Sequence, residues 1–211
     1  NNFSPNSARS DLIDGNLLGH RVGQGRDAGL KLRLFGDRVN ANLGWYETSD
    51  TNRQVGIDNA WFNNINAIWR TLGQPQRVIN VFADSQDLAG KGYEFELTAN
   101  VTPQWRTSFN WGIIDQVTTN QNPRTVAYTA QHLATWQAAS DLTLDRSGTT
   151  LTTPTVGGAL QNAQFILDAI LAGNGNVRRG LREHSGNLFT NYTFARDSKL
   201  RGFSFGIGAN Y

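Results

Sequence analysis

The feature that most constrains this chain is an alternation of apolar and polar residues with a period of two. In the segment LRGFSFGIGANY, which runs from Leu200 to Tyr211, phenylalanine, isoleucine, alanine and tyrosine occupy odd positions from Phe203 onward. Glycine, serine and asparagine occupy the even positions. Because successive side chains of a β-strand point to opposite faces, the segment predicts a strand with one apolar face and one small, polar face.

Five other segments show the same alternation. They are GLKLRLF, VNANLGWYET, YEFELTANV, WRTSFNWGI and NLFTNYTF, at residues 29–35, 39–48, 93–101, 105–113 and 187–194. Only the last of these is blurred, because Phe189 stands among its polar positions. Six strands are therefore predicted.

The spacing of the strands predicts a topology. GDR, TPQ and ARDSK separate the members of three pairs, and these are turn residues, so the pairs are predicted to be hairpins. Between the hairpins lie two long connections, at about 48–92 and 114–186. Connections of that length are uncommon in compact soluble domains, whereas short turns on one side and long loops on the other are typical of an outer-membrane barrel. We therefore expect an all-β fold, an antiparallel up-and-down transmembrane barrel segment with short periplasmic turns and long extracellular loops.

Each long connection contains a helical pattern. NAWFNNINAIWRTLG places Trp61, Ile65, Ile68 and Leu72 at helical spacing before Gly73. GGALQNAQFILDAILAG places apolar residues on one stripe before Gly173; they are Leu160, Ala163, Leu167, Ile170 and Leu171. Both helices are expected to pack within their own loops, with Trp61 and Trp69 filling a local core and ligand contact by these rings as the alternative.

Composition excludes several classes of function. The 211 residues include no cysteine, so there is no disulfide framework and no thiolate metal site. No run approaches the roughly 18 apolar residues of a membrane-spanning helix. Lysine and arginine are scattered and the net charge is only +2, which argues against nucleic-acid binding. His20, His132 and His184 lie far apart, and no nucleophile motif is present, so we expect no metal, no cofactor, no catalytic site and no enzyme.

The polar faces decide between a soluble sheet and a membrane sheet. Three of the six consist mostly of asparagine, serine and glycine, which suits a crowded or water-filled lumen better than a solvated surface. The residues expected to face lipid are Leu30, Leu32, Leu43, Phe95, Leu97, Phe109, Phe203, Phe205 and Ile207. The candidate contacts in the lumen are Arg33, Asn40, Asn42, Glu94, Glu96, Arg106 and Asn110.

Aromatic residues gather towards the ends of the predicted strands. A belt of aromatic side chains at the membrane interface would require this arrangement. The predicted interface residues are Trp45, Tyr93, Trp105, Tyr192 and Tyr211. Six strands are too few for a closed barrel, and an open edge in lipid would leave backbone groups unpaired. We therefore expect residues 1–211 to be a section of a larger barrel.

Three stretches resemble the C-terminal half of the barrel of TonB-dependent outer-membrane receptors. They are GQGRDAGLKLRLFGDRVNANLGWYET, GKGYEFELTANVTPQWRTSFNWGIID and LREHSGNLFTNYTFARDSKLRGFSFGIGANY, at residues 23–48, 90–115 and 181–211. The pattern of glycine and glutamates followed by a Thr-Pro-x-Trp turn, recurrent in that family, appears here as Gly92, Glu94, Glu96 and Leu97, then Thr102, Pro103 and Trp105.

The resemblance implies a barrel of about 22 strands filled by an N-terminal plug. It implies uptake of a scarce large nutrient, such as a ferric siderophore, cobalamin or a glycan, with energy supplied by TonB. Neither a plug nor a TonB box is recognisable in this sequence, so contact with the TonB complex is expected through a plug outside it. The implied location is the outer membrane of a Gram-negative-type bacterium, with membrane lipid and lipopolysaccharide as partners. Arg178 and Arg179 are candidates for contacting lipopolysaccharide phosphates, with solvated loop charge as the alternative.

Two other functions remain open at this point. A passive porin shares the alternation but needs no plug. A soluble β-sandwich that binds glycans would cover its apolar faces with a second sheet. The faces of Phe203, Phe205 and Ile207 discriminate between the sandwich and either barrel, because only a barrel leaves them without a protein cover.

Overall fold

The computed structural model describes residues 2–4, 12–177 and 180–211. The predicted lipopolysaccharide contacts Arg178 and Arg179 lie outside these ranges.

Within the described ranges, seven strands form one sheet in which each strand pairs with its neighbour in sequence, in the order β1 to β7. The strands are β1 (Asn2–Ser4), β2 (Arg21–Leu34), β3 (Val39–Gly56), β4 (Ala83–Thr102), β5 (Trp105–Thr119), β6 (His184–Thr193) and β7 (Ser204–Asn210). The helices are α1 (Asn59–Thr71), α2 (Pro123–Ala138) and α3 (Val156–Leu171), with a short 3-10 helix at Pro75–Arg77. The predicted fold, an antiparallel up-and-down sheet of a barrel section, is confirmed, and β1 is not paired with β7 in the described part of the chain.

The strand boundaries differ from those predicted. β3 and β4 contain 18 and 20 residues, because both continue into the segments that were assigned to long loops. The last strand begins at Ser204 and not at Leu200, because backbone hydrogen bonds from Arg201 to Ser198 and from Phe203 to Leu200 extend the preceding turn. Phe35 leaves its predicted strand for the turn, with a φ of 56°.

The chain divides into two compact units. The loop unit consists of Asn1–Gly23, Asp50–Leu88 and Val117–Arg178, and the sheet unit consists of Gln24–Ser49, Ala89–Gln116 and Arg179–Tyr211.

The loop unit has a hydrophobic core built from its three helices. Ile65, Ile68 and Trp69 of α1 are almost fully buried, as are Trp136 of α2 and Val156 of α3. The side chain of Asp58 caps α1 by accepting hydrogen bonds from the amides of the first turn. Both predicted helices are confirmed, and the rings of Trp61 and Trp69 fill the core as expected.

The sheet unit has no such core. Every buried apolar side chain among the described residues belongs to the loop unit, and the sheet unit contributes none. A soluble sheet of this size buries one face against another layer. Both faces of the sheet unit are therefore available to contact something other than its own residues.

Candidate functional site

The register of β5, β6 and β7 sorts their side chains onto two faces. Tyr192 of β6 is paired with Trp105 of β5 on one side and with Phe205 of β7 on the other. Two positions further along each strand, the corresponding rows are Thr107–Thr190–Ile207 and Phe109–Leu188–Ala209. Side chains that are paired across neighbouring strands share a face. The apolar positions of the three strands consequently form one continuous surface, the apolar face.

The apolar face is exposed. Phe203, Phe205 and Ile207 are 66%, 65% and 61% exposed. Aromatic rings continue this surface, since Phe109 stacks on Trp111 and Trp111 stacks on Tyr211 with centroid distances of 6.5 and 5.5 Å. Within the part of the chain that the structure describes, no second sheet and no helix covers these rings.

The opposite side, the polar face, carries the residues predicted for the lumen. Asn110 is paired with Asn187, which is paired with Asn210, and Arg106 is paired with Asn191. On the preceding strands Asn42 Nδ2 donates a hydrogen bond of 3.1 Å to Glu96 Oε2. Whether the apolar face meets lipid and the polar face meets a lumen stays a prediction.

One part of the polar face is an acidic cleft of about 640 Å³. Its carboxylates are Asp27, Glu94 and Glu96, and its cation is Lys31. Tyr46 also lines this cleft, and its ring passes so close to Gly92 that a Cβ on Gly92 would lie 2.5 Å from the Tyr46 oxygen. The glycine of the Gly-x-Glu-x-Glu pattern therefore makes room for this ring.

A second cleft, of about 1000 Å³, has the opposite charge. This basic cleft is lined by two cations and no carboxylate; the lining residues are Arg38, Asn100, Thr102, Pro103, Gln104, Arg106, Ser108, Phe189, Asn191 and Thr193. Arg38 Nη2 donates to the Val101 carbonyl at 2.8 Å. The two clefts give the polar face a separation of charge that the sequence did not predict.

The seven predicted lumen residues are thus divided among three places. Asn42, Glu94 and Glu96 line the acidic cleft, and Arg106 lines the basic cleft. Arg33, Asn40 and Asn110 line neither; the amide of Asn40 instead donates to the Asp37 carbonyl within its own turn. Sequence reasoning missed Arg38 and Tyr46, although continuing the alternation of Asn40, Asn42 and Gly44 by one step reaches Tyr46.

The predicted interface aromatics occupy two kinds of position. Trp105 begins β5, Tyr192 is the penultimate residue of β6 and Tyr211 directly follows β7. The location of all five at the membrane interface stays a prediction. Trp45 and Tyr93 lie well inside β3 and β4 and so do not mark the ends of these two strands. The reason is strand length, since about 9–11 residues cross a bilayer and these strands are nearly twice as long.

The loop unit contains an aromatic cluster around Trp69. Its indole Nε1 donates to the Tyr128 hydroxyl at 2.9 Å, and the guanidinium of Arg77 lies 5.1 Å from the ring centroid. The rings of His132 and Trp136 pack edge-on at 5.1 and 5.6 Å. Burial, with a smaller contribution from the charge of Arg77, lowers the pKa of His132, and burial raises the pKa of Tyr128. A neutral imidazole is therefore favoured in this cluster.

Two further features are absent from the described ranges. No three histidine, aspartate, glutamate or cysteine side chains among residues 2–4, 12–177 and 180–211 come together as metal ligands. None of the helices described is both long and apolar enough to cross a membrane.

Among known proteins, only solved structures match this chain. The sequence matches no protein-family model. It also matches no curated protein.

Solved structures of outer-membrane receptors resemble the chain. The ferripyoverdine receptor of the outer membrane of Pseudomonas aeruginosa, bound to ferripyoverdine, and the FpvAI–pyocin S2 complex each give a TM-score of 0.57 at 17% identity, covering 99% of this chain and 19% of theirs. The pyoverdine outer membrane receptor FpvA from P. aeruginosa, bound to pyoverdine, gives 0.56 at 14% identity, covering 99% and 21%.

The chain thus spans about a fifth of the length of the structures it matches. These proteins are outer-membrane receptors. The likeness shows the fold of this chain, and its non-enzymatic character stays a prediction from the sequence. The chain therefore has the fold of a section of an outer-membrane ferripyoverdine receptor, and the resemblance predicted from its three motif stretches is confirmed at the level of the fold.

Proposed function

We propose that this chain is a section of the barrel of an outer-membrane transport receptor. The receptor takes up a scarce large nutrient, with a ferric siderophore as the first candidate and cobalamin or a glycan as the others. TonB supplies the energy through a plug that belongs to another part of the protein. The outer-membrane location, the lipid and lipopolysaccharide partners, and the residue roles assigned above are parts of the same proposal.

The observation that carries this proposal is the exposed apolar face of β5, β6 and β7. An apolar surface this continuous is costly in water, at about 25 cal/mol per Å² of apolar area. Hydrocarbon removes that cost without a second protein layer. The face supports a membrane sheet over the soluble glycan-binding sandwich, which needs these rings buried.

The loop unit supports a receptor over a simple pore. Its helices pack around a buried core that includes Trp61, Trp69 and Trp136, so the long connections form an ordered body and not a set of flexible loops. An ordered loop body offers a fixed surface for a large ligand. The fold likeness to receptors that bind ferripyoverdine supports the same ranking of substrates.

Transport by the full-length protein tests the proposal. Cells that carry the protein and cells that lack it are supplied with ferric pyoverdine containing radioactive iron, with and without TonB. We expect iron uptake only when both the protein and TonB are present. Uptake of other ferric siderophores, cobalamin and oligosaccharides is measured in the same way to rank the substrate classes.

Uptake by the same cells, together with fractionation of those cells, also tests the alternatives. Solute entry that needs the protein but continues without TonB identifies a passive porin. Recovery of the folded protein from the soluble fraction without detergent identifies the glycan-binding sandwich. Either result refutes the proposed function.

A further inference from the structure

We propose that the three buried tryptophans of the loop unit, Trp61, Trp69 and Trp136, pass oxidising equivalents to Tyr128 and that this transfer protects the core from covalent oxidation. The initial reactant is a one-electron oxidant of the surrounding medium, of which the carbonate radical anion is an example. Tyr128 then holds the unpaired electron as a neutral tyrosyl radical. The inference goes beyond the proposed function and does not depend on transport.

Tyr128 is the common neighbour of all three tryptophans. Its hydroxyl accepts a hydrogen bond of 2.9 Å from Trp69 Nε1. Its ring centroid lies 6.5 Å from that of Trp61 and 6.2 Å from that of Trp136. The tryptophans are at most 1% exposed, whereas Tyr128 packs against this core and is only partly buried. An electron can therefore move from Tyr128 to any of the three indoles in one short step.

The composition of the chain leaves tryptophan and tyrosine as its most easily oxidised side chains. The 211 residues contain no cysteine and no methionine, the sulfur side chains on which oxidative damage usually falls. Three of the six tryptophans belong to the core of the loop unit. An oxidant that acts on this unit therefore takes its electron from an aromatic ring.

The surroundings of the tryptophans make them poor final sites for the unpaired electron. Among the residues that the structure describes, Nε1 of Trp61 and Nε1 of Trp136 are buried without a hydrogen-bond partner. A radical cation on either ring therefore has no neighbouring acceptor for its indole proton and stays strongly oxidising. The guanidinium of Arg77 lies 5.1 Å from the centroid of the third ring, Trp69, and its positive charge disfavours a radical cation there.

Tyr128 is the better final site because its phenol can lose a proton. Tyr128 gives one electron to the tryptophan radical cation, which returns to a neutral indole, and the phenolic O–H bond breaks. The proton passes to the imidazole of His132, whose ring centroid is 4.6 Å from that of Tyr128. Burial lowers the pKa of His132 and so keeps this imidazole neutral and able to accept. Once His132 releases the proton to solvent, the carbonate radical has become bicarbonate and Tyr128 a tyrosyl radical.

Radical trapping in the full-length protein tests the inference. Carbonate radicals are generated by photolysis of hydrogen peroxide in excess bicarbonate, a nitrone spin trap is present, and peptide mass spectrometry locates the modified residues. In the wild-type protein we expect the trap on Tyr128 and little oxidation of the three buried tryptophans. In Tyr128→Phe, which keeps the ring and removes the hydroxyl, we expect the yield of kynurenine products at these tryptophans to rise several-fold.

Two further variants make the result specific. Tyr93→Phe removes a hydroxyl from the sheet unit and should leave oxidation of the three tryptophans at the wild-type level. Arg77→Gln removes the cation beside Trp69 and should raise the kynurenine yield at Trp69 relative to Trp136. Quenching of tryptophan fluorescence by iodide is compared in all proteins, because it detects a core that has become accessible to solvent. If Tyr128→Phe raises this quenching, the trapping site in the wild type and the Arg77→Gln ratio decide the inference.

Three outcomes overturn the inference. They are no radical trapped on Tyr128 in the wild type, kynurenine yields that Tyr128→Phe does not raise although iodide quenching is unchanged, and a ratio of Trp69 to Trp136 products that Arg77→Gln does not change. An equal rise in Tyr128→Phe and Tyr93→Phe counts as the second, because it would not depend on contact with the tryptophans. Failure of nutrient uptake would refute the proposed function alone, whereas these outcomes would refute the electron transfer alone.

Discussion

At the residue scale, Gly92 is the position in the sheet where a side chain is least tolerable. A Cβ there would lie 2.6 Å from Tyr46 Cζ and would also collide with the carbonyl oxygen of Ile113. The carbonyl belongs to the backbone and cannot move aside as a flexible side chain can. We expect Gly92→Ala to destabilise the folded protein by about 1–3 kcal/mol, the range for inserting one methyl into a packed site.

The measurement is the temperature at which the full-length protein loses its folded electrophoretic mobility. Gly90→Ala is the matched control, because it lies on the same strand and its nearest contacts would be ordinary ones of 3.4 and 3.7 Å. If both variants melt at the wild-type temperature, the close approach of Tyr46 to β4 is wrong.

His132 gives the loop unit a dependence on pH. Its pKa is lowered by burial and by Arg77, whereas in the unfolded chain the imidazole binds a proton at a pH of about 6.5. Below that pH the unfolded state binds more protons than the folded state, so the stability falls as the pH falls. We expect the melting temperature, followed by tryptophan fluorescence, to decrease from pH 7.5 to pH 5.5. The decrease should be smaller in His132→Gln than in the wild-type protein, whereas His20→Gln should show the wild-type decrease. An equal decrease in the wild type and both variants excludes His132 as its source.

At the element scale, the N-terminus of helix α2 is capped by a residue of a distant strand, β4. Asn122, which precedes the helix, is left-handed at a φ of 49° and makes no side-chain cap. The buried carboxylate of Asp84 in β4 takes over the role of the missing side-chain cap. Asp84 Oδ2 accepts hydrogen bonds from the backbone amide and the hydroxyl of Thr125, at 2.8 and 2.7 Å. Asp84→Ala is expected to lower the free energy of unfolding by about 1–2 kcal/mol, as the loss of a helix cap does.

Hydrogen exchange of the amides of α2 measures this effect. Exchange should accelerate in Asp84→Ala, less so in Asp84→Asn, which keeps one acceptor oxygen, and not in Asp141→Ala, which removes an exposed carboxylate close to the helix C-terminus. Unchanged protection in Asp84→Ala would mean that α2 is held by its packing alone.

The same helix shows why sequence reasoning found some elements and missed others. The stripes of α1 and α3 face one core and are visible in sequence as residues such as Ile65, Ile68, Leu160 and Ala163. The fully buried residues of α2 include two threonines and one tryptophan, and its cap lies about forty positions away, so no local pattern marks the helix. The C-terminal part of β3 and the N-terminal part of β4 were missed for a related reason, because their polar residues do not alternate with apolar ones.

At the scale of the whole molecule, alternation predicted the two faces but not the clefts. Parity alone assigns Arg106 and Glu96 to the same side of the sheet. Their separation into a basic and an acidic cleft depends on which strands are neighbours and on Arg38, which stands in a turn outside the alternating segments. A pattern with a period of two along one strand contains no information about either.

The absence of cysteine permits a direct test of the two faces in the full-length protein. Single cysteines at positions 205 and 207 belong to the apolar face, and those at 204 and 206 belong to the polar face. Position 203 directly precedes β7 and has the same parity as 205 and 207 in the sequence. In outer membranes, we expect a water-soluble maleimide to label positions 204 and 206 and a bilayer-soluble maleimide to label the other three. Each variant is labelled again after denaturation, to establish that every cysteine is present and reactive.

The opposite labelling pattern would place the apolar face against an aqueous phase. Contact with lipid could then not account for the exposure of more than 60% of the side chains of Phe203, Phe205 and Ile207. Labelling of all five positions by the aqueous reagent would mean that the sheet does not lie in the bilayer. Only strict alternation supports a barrel wall, because a slip of one residue moves every side chain of β7 to the other face. The cross-strand pairs Tyr192–Phe205 and Thr190–Ile207 determine which parity must be protected from water.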